Sequence, residues 1–124
     1  LHDALPICLE VAGSAFRGYE WYVAELEQRA DEPDLRGAVT FHGYVSPART
    51  VIDRADVVDV VTPTSTHHDI VRAALEAGRD VICEKPIAGS LADVDRLIAD
   101  MQSVDGWRTE FLPWGSGLML CVRD

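Results

Sequence analysis

The stretch VVDVVTPTSTH, residues 57–67, decides the fold. Four of its first five residues are valine, and a continuous β-branched run is typical of a strand that is buried on both faces of a parallel sheet. Asp59 is the one charge inside the run. The Thr-Pro pair that follows ends the strand, because proline fixes the backbone and removes an N–H donor. The stretch therefore predicts a buried parallel strand and, after it, a polar loop over residues 62–67.

Helices and strands alternate on the carboxyl side of this stretch. Ser65 or Thr66 is expected to cap a helix that runs to Ala77, and Gly78 is its expected left-handed end. Residues 80–83 then predict a strand, and residues 90–101 predict a helix that begins with the Ser-x-x-Asp pattern of a cap. Further on, turns are expected at 106–107 and 113–115, and a strand at 118–122.

The amino-terminal half has the same rhythm. The pattern predicts a strand at 7–12, a helix at 19–30, a strand at 38–42 and a short helix from Ser46-Pro47 over residues 51–52. Strands that alternate with helices in this way form a parallel sheet. The fold class is therefore α/β, with one domain over residues 1–124 as the expected organisation.

Two polar motifs follow consecutive predicted strands. One is the loop at 62–67, and the other is Glu84-Lys85-Pro86. In open α/β sheets, ligands bind outside the carboxyl ends of the strands, so the two motifs should lie side by side at a ligand-binding edge. Lys85 brings a cation and a proton donor to that edge. This arrangement suits a substrate with a hydroxyl or carbonyl group.

Composition excludes several classes of partner. A formal net charge of -10 provides no basic face for nucleic acid or for an anionic membrane. Apolar runs are too short for a membrane span, and the start has no secretory signal, so a cytoplasmic location is expected. The three cysteines, Cys8, Cys83 and Cys121, form no C-x-x-C pair and are interpreted as reduced thiols.

The segments VDVVTPTSTHH (58–68) and ALEAGRDVICEKPIA (74–88) together resemble the nucleotide-binding domain of the Gfo/Idh/MocA family. The resemblance covers residues 55–101. It implies a partial Rossmann-like sheet and an oxidoreductase that transfers hydride between a sugar or polyol-like substrate and NAD or NADP.

The resemblance also implies roles for individual residues. Lys85 is similar to the family lysine that contacts substrate and assists proton transfer, so it is the expected catalytic residue. The expected cofactor-binding residues are Thr62, Pro63, His67, Glu84 and Pro86. No metal is expected, because His67 and His68 have no third ligand near them in the sequence. Cys83 is interpreted as a small buried hydrophobe.

The first half departs from the family pattern. A strand followed by G-x-G-x-x-G should hold the pyrophosphate, but residues 11–16 contain only Gly13, and Gly18 has the wrong spacing. Residues 8–58 resemble instead the C-terminal domain of group 1 glycosyltransferases, through LEVAGSAFRGYEW (9–21), VTFHGYV (39–45) and ADVV (55–58). The glutamate-rich donor-sugar motif of that family is absent. We therefore expect a junction between unrelated segments near residues 55–59.

The length of 124 residues is too short for a two-domain dehydrogenase, so a fragment is expected. Residues 1–7 match the translated end of a sequencing adapter and are not expected to be biological; the C-terminal tail, from Cys121, is open to the same interpretation. Three readings remain open: an oxidoreductase fragment, which is favoured, a glycosyltransferase fragment, and a non-catalytic α/β module. Oligomeric state is not predicted.

Overall fold

The computed structural model describes residues 7–112 and 118–123. The predicted turn at 113–115 and almost all of the segment at 1–7 lie outside these residues. The chain divides into two compact units, Leu1–Pro47 and Ala48–Asp124. The expectation of a single domain stays a prediction.

The amino-terminal unit is a strand, a helix and a strand. β1 (Leu9–Ala12) pairs in parallel with β2 (Val39–Gly43), and α1 (Glu20–Ala30) connects them. The predicted elements are therefore confirmed to within two residues at each end. None of the α1 residues is buried, although Tyr22, Leu26 and Ala30 lie at helical spacing on one face.

The carboxyl-terminal unit begins with α2 (Arg49–Ile52) and β3 (Val57–Val60), followed by a 3₁₀ turn over Thr64–Thr66. The order then continues with α3 (His67–Glu76), β4 (Asp80–Cys83), α4 (Leu91–Gln102), β5 (Trp107–Leu112) and β6 (Leu118–Arg123). β3 and β4 pair in parallel, from Val57 opposite Asp80 to Val60 opposite Cys83. β5 and β6 form an antiparallel pair.

The core of this unit lies on one face of the β3–β4 sheet. Its buried members come from β3, α3, α4 and β5, and they are Val60, Val71, Leu75, Leu97, Met101 and Trp107. The opposite face of the sheet is open: Val57 is 51% exposed and Ile82 is 55% exposed. The prediction that β3 is buried on both faces is therefore wrong for this chain. Asp59, the one charge inside the valine run, lies on the exposed face.

Helix ends agree with the sequence at two positions and differ at a third. The Ser90 hydroxyl accepts from the Asp93 N–H at 3.2 Å and donates to its carboxylate at 2.7 Å, as the cap pattern predicts. Gly78 has φ +69°, the left-handed conformation expected at the end of α3. Thr66 precedes α3, but its side chain accepts no helix N–H and is used in the loop instead.

Trp107 was expected in a turn, and this prediction is wrong. Gly106 does form a turn with φ +84°, but Trp107 begins β5 and its side chain is only 8% exposed. The indole N–H donates to the carbonyl of Leu75 at 3.3 Å. The sequence signal was weak, because one aromatic residue after a glycine has no periodicity that distinguishes a strand from a turn.

α3 and α4 are joined by His68. Its Nε2 lies 2.6 Å from Asp100 Oδ2 and its Nδ1 lies 2.9 Å from Asp69 Oδ1. Arg72 and Arg96 lie 3.8 and 3.9 Å from the same Asp100 oxygen. Hydrogen bonds to Asp69 and Asp100 raise the pKa of His68, and the hydrogen bond from His68 lowers the pKa of Asp100. Carboxylate oxygens only accept, so the protonated ring, which donates from both nitrogens, makes this bridge an ion pair.

Trp107→Ala should destabilise the chain by about 3–5 kcal/mol, since it leaves a cavity among Leu75, Leu97 and Met101. Urea-induced unfolding measures this free energy. Leu91, which is 84% exposed on α4, supplies the control: Leu91→Ala should change stability by about 0.5 kcal/mol or less. Equal effects of the two variants would contradict the assigned core.

The His68 bridge should make stability depend on pH. A raised histidine pKa contributes stability that is fully present below the ordinary value of 6.5 and is lost as pH rises through the folded-state value. We therefore expect the stability difference between wild type and His68→Gln to shrink as pH rises above 6.5 and through the raised folded-state pKa of His68. Because the pKa of Asp100 is lowered, its contribution to stability is fully present above its ordinary pKa of 3.8. That contribution is lost only as pH falls through the folded-state pKa. A difference that is constant or grows with rising pH would contradict the bridge.

Candidate functional site

The two predicted motifs meet at the carboxyl edge of the β3–β4 sheet. Val60 lies opposite Cys83, and the Glu84 N–H donates to the Val60 carbonyl at 3.0 Å. The next residues of each strand therefore leave the sheet together. The loop at 62–67 and the Glu84-Lys85-Pro86 motif start side by side, as the spacing of the motifs predicts.

Hydrogen bonds inside the first loop hold Thr62 in place. The Thr66 hydroxyl lies 2.8 Å from the Pro63 carbonyl and 2.8 Å from the Thr62 hydroxyl. A carbonyl can only accept, so the Thr66 proton is directed to Pro63 and the Thr62 hydroxyl donates to Thr66. The Thr66 N–H also donates to the Pro63 carbonyl at 2.8 Å. The loop is thus a closed turn, with Pro63 exposed at its outer side.

His67 points into the protein. It is 2% exposed, its Nε2 lies 2.7 Å from the Thr62 carbonyl, and its Nδ1 lies 3.5 Å from Cys83 Sγ. The sequence assigns His67 to the cofactor-binding loop and does not predict its burial. Helical spacing carried a signal for that burial, because His67, Val71 and Ala74 share the buried face of α3.

Cys83 ends β4 with its thiol partly buried. Burial, together with the negative charges of Asp59 and Glu84, raises the pKa of Cys83 to about 11. The thiol is therefore protonated at neutral pH and is a poor nucleophile. This agrees with its interpretation as a small packed side chain, although the hydrogen bond to His67 was not foreseen.

Glu84, Lys85 and Pro86 are all exposed at the edge of the sheet. The Lys85–Pro86 peptide bond is cis. Lys85 is the only lysine in the sequence. An exposed ammonium at this edge can approach a ligand without first leaving a buried site.

A cavity of about 470 Å³ lies beside these loops, between the amino-terminal ends of α3 and α4. Its polar lining includes Thr64, Ser65, His68 and Arg96, and its acidic lining includes Asp69 and Asp93. The six residues predicted for the site do not line it. The titratable groups of its lining are two carboxylates, one guanidinium and one imidazole.

Over residues 7–112 and 118–123, no group of three or more His, Cys, Asp or Glu side chains is placed to hold a metal ion. Among the helices in those ranges, none has the length and hydropathy that a membrane span requires.

Comparisons with known proteins identify the family. A model described as oxidoreductase family, NAD-binding Rossmann fold, matches residues 23–106. Myo-inositol 2-dehydrogenase of Thermotoga maritima is 40% identical over 63 residues, which is 50% of this chain and 19% of that protein. Levoglucosan dehydrogenase of Pseudarthrobacter phenanthrenivorans is 48% identical over 50 residues, 39% of this chain and 13% of that protein.

Longer matches extend into the first half of the chain. Inositol 2-dehydrogenase of Salmonella typhimurium is 30% identical over 97 residues, 77% of this chain and 24% of that protein. The solved structure of a levoglucosan dehydrogenase, in complex with NADH and levoglucosan, is 29% identical and matches with a TM-score of 0.52 over 82% of this chain and 24% of that one. The chain spans 13% to 24% of the length of these relatives.

The family match bears on the expectations for the first half. It begins at residue 23 and runs through residues 55–59 to residue 106, and the glycosyltransferase resemblance of residues 8–58 is not confirmed. The junction near residues 55–59 stays a prediction, which a continuous amplicon from the source DNA would contradict.

The family is NAD-binding, so the expected nicotinamide cofactor is confirmed at the level of the family. The chain belongs to the Gfo/Idh/MocA oxidoreductase family, with its NAD-binding Rossmann fold.

Proposed function

We propose that this chain is part of a cytoplasmic NAD(P)-dependent dehydrogenase that acts on a small sugar or polyol, with Lys85 as the catalytic residue. One observation carries the proposal: the pairing of β3 with β4 brings the loop at 62–67 and Glu84-Lys85-Pro86 to one edge of the sheet. Related dehydrogenases of inositol and levoglucosan support a polyhydroxylated substrate.

The residues at this edge fit the nicotinamide end of a dinucleotide. Thr62 and Pro63 present a closed, hydrogen-bonded loop, and Glu84 and Pro86 are exposed beside it. We assign these four residues to the wall of the cofactor pocket. His67 is buried beneath the loop, so its part in cofactor binding is to hold the Thr62 carbonyl in place.

The chemistry of hydride acceptance belongs to the nicotinamide. The protein must orient the substrate and handle the proton of its hydroxyl group. The exposed Lys85 amine suits both tasks: it can accept a hydrogen bond or a proton from the hydroxyl, and its charged form stabilises negative charge that develops on oxygen. Proton transfer by a positioned group contributes roughly a hundred- to ten-thousand-fold to rate.

The turn between β1 and α1, where the family pattern expects the pyrophosphate, matches that pattern less well. Gly13 and Gly18 lie in the turn between β1 and α1 and have φ +155° and +93°, but their spacing is not that of G-x-G-x-x-G. This turn also precedes the family match, which begins at residue 23. Residues on one side of a nucleotide pocket bind the nucleotide more weakly than the complete pocket does.

The proposed reaction is tested in the intact enzyme encoded by the gene that contains this segment. NAD⁺ or NADP⁺ reduction in the presence of myo-inositol or levoglucosan is followed by absorbance. Lys85→Ala should lower kcat by roughly a hundred- to ten-thousand-fold. Lys85→Arg should fail to restore it, because arginine keeps its charge but does not release its proton.

Arg72→Ala is the control, since Arg72 is an exposed cation of α3 that pairs with Glu76. This variant should retain activity within about twofold. A Lys85→Ala enzyme as active as the Arg72→Ala enzyme would overturn the assignment of Lys85.

For the 124-residue chain itself, we expect weak or absent binding of NADH, with no saturation below about 1 mM. Titration of NADH fluorescence measures this affinity. Micromolar binding that is abolished by Lys85→Ala would contradict the expectation and would show that this chain carries a complete nucleotide site.

A further inference from the structure

Cys83 and His67 connect the loop at 62–67 to the end of β4, which leads into Glu84-Lys85-Pro86. Cys83 is the last residue of β4, and His67 is the first residue of α3. Cys83 Sγ lies 3.5 Å from His67 Nδ1, and His67 Nε2 lies 2.7 Å from the Thr62 carbonyl. Thr62 and His67 are five residues apart and Cys83 lies sixteen residues beyond His67, and the three form one continuous series of hydrogen bonds.

The direction of each proton follows from the partners. The Thr62 carbonyl can only accept, so His67 Nε2 carries the proton of that bond. A second proton on the buried ring would place a charge next to a thiol sulfur, which is a weak acceptor. Nδ1 therefore accepts, and the Cys83 thiol donates. The same thiol lies 3.6 Å from the Glu84 carbonyl, which is a second, weaker acceptor for its single proton.

Burial makes this series sensitive to the loss of a member. His67 is 2% exposed, so water has little access to a ring nitrogen that has lost its partner. A buried polar atom without a partner loses the full energy of its hydration, which is why such groups are nearly always paired. The burial that raises the pKa of Cys83 also keeps the thiol in the protonated form that can donate.

We propose that Cys83 and His67 are positioning residues, which fix the Thr62 loop relative to the chain that leads into Glu84 and Lys85. The inference rests on the proposed function for the site that is positioned, whereas the hydrogen-bonded link can be tested without any nucleotide. A displacement of one loop wall by an ångström is enough to misplace a reactive geometry.

The first test is the tautomer of His67 in the wild-type 124-residue chain. Two-bond ¹H–¹⁵N correlation spectra at neutral pH should show a protonated Nε2 and an unprotonated Nδ1 for this ring. A ring protonated at Nδ1, or at both nitrogens, would overturn the proposal. This measurement needs no variant, so it holds even where a substitution impairs folding.

The second test compares Cys83→Val with Cys83→Ser. Valine keeps an apolar, strand-forming side chain but has no donor, whereas serine keeps a donor. Amide exchange at Thr66 and Glu84 reports on the two loops, because their N–H groups bond to Pro63 and Val60. The Arg79 N–H, bonded to Ala74 at the other end of α3, is the internal reference.

Cys83→Val should accelerate exchange at Thr66 by about tenfold relative to Arg79, and Cys83→Ser should remain within about twofold of wild type. Equal exchange in the two variants would overturn the link. In the intact enzyme, Cys83→Val should lower kcat/KM for the nucleotide by about tenfold and Cys83→Ser should recover it. If Lys85 proves not to be catalytic, the His67 tautomer and the amide exchange rates are unaffected. The proposed function and the hydrogen-bonded link can therefore fail independently of each other.

Discussion

The parallel pairing of β3 with β4 is the constraint on which the site depends. The bond from the Glu84 N–H to the Val60 carbonyl, 3.0 Å long, closes this pairing at the carboxyl edge of the sheet. Parallel strands need a crossover, and α3 provides it with its buried face on the sheet. The loop before α3 and the segment after β4 therefore emerge at the same place. A shift of one residue in register would turn Glu84 and Lys85 to the opposite faces.

The first two residues of α3 serve different connections. His67 points inward and joins Thr62 to Cys83, whereas His68 points toward α4 and pairs with Asp100. Successive helical residues lie about 100° apart around the axis, so neighbours can serve different partners. The start of α3 is thereby attached to β4 through one side chain and to α4 through the next. The loop at 62–67 therefore ends at an anchored position, as a preorganised site requires.

The elements of this chain follow from local sequence signals, whereas the details of the site follow from tertiary contacts. The valine run, the cap at Ser90 and the left-handed Gly78 predicted β3, α4 and the end of α3 because their causes are local. The roles of His67 and Trp107 were not foreseen. Each depends on a distant residue, Cys83 or Leu75, that becomes a neighbour only after folding. The open face of β3 was also missed, because β-branched residues favour a strand without showing which surfaces are covered.

The register of β3 against β4 can be measured directly in the isotopically labelled chain, through the scalar coupling that a hydrogen bond transmits between an amide nitrogen and the carbonyl carbon of its acceptor. The structure predicts a coupling from the Glu84 nitrogen to the Val60 carbonyl carbon, across the 3.0 Å bond. That result would place Lys85 beside the loop at 62–67. A coupling from Glu84 to a carbonyl other than that of Val60 would contradict the pairing, and with it the common edge on which the proposed site is built.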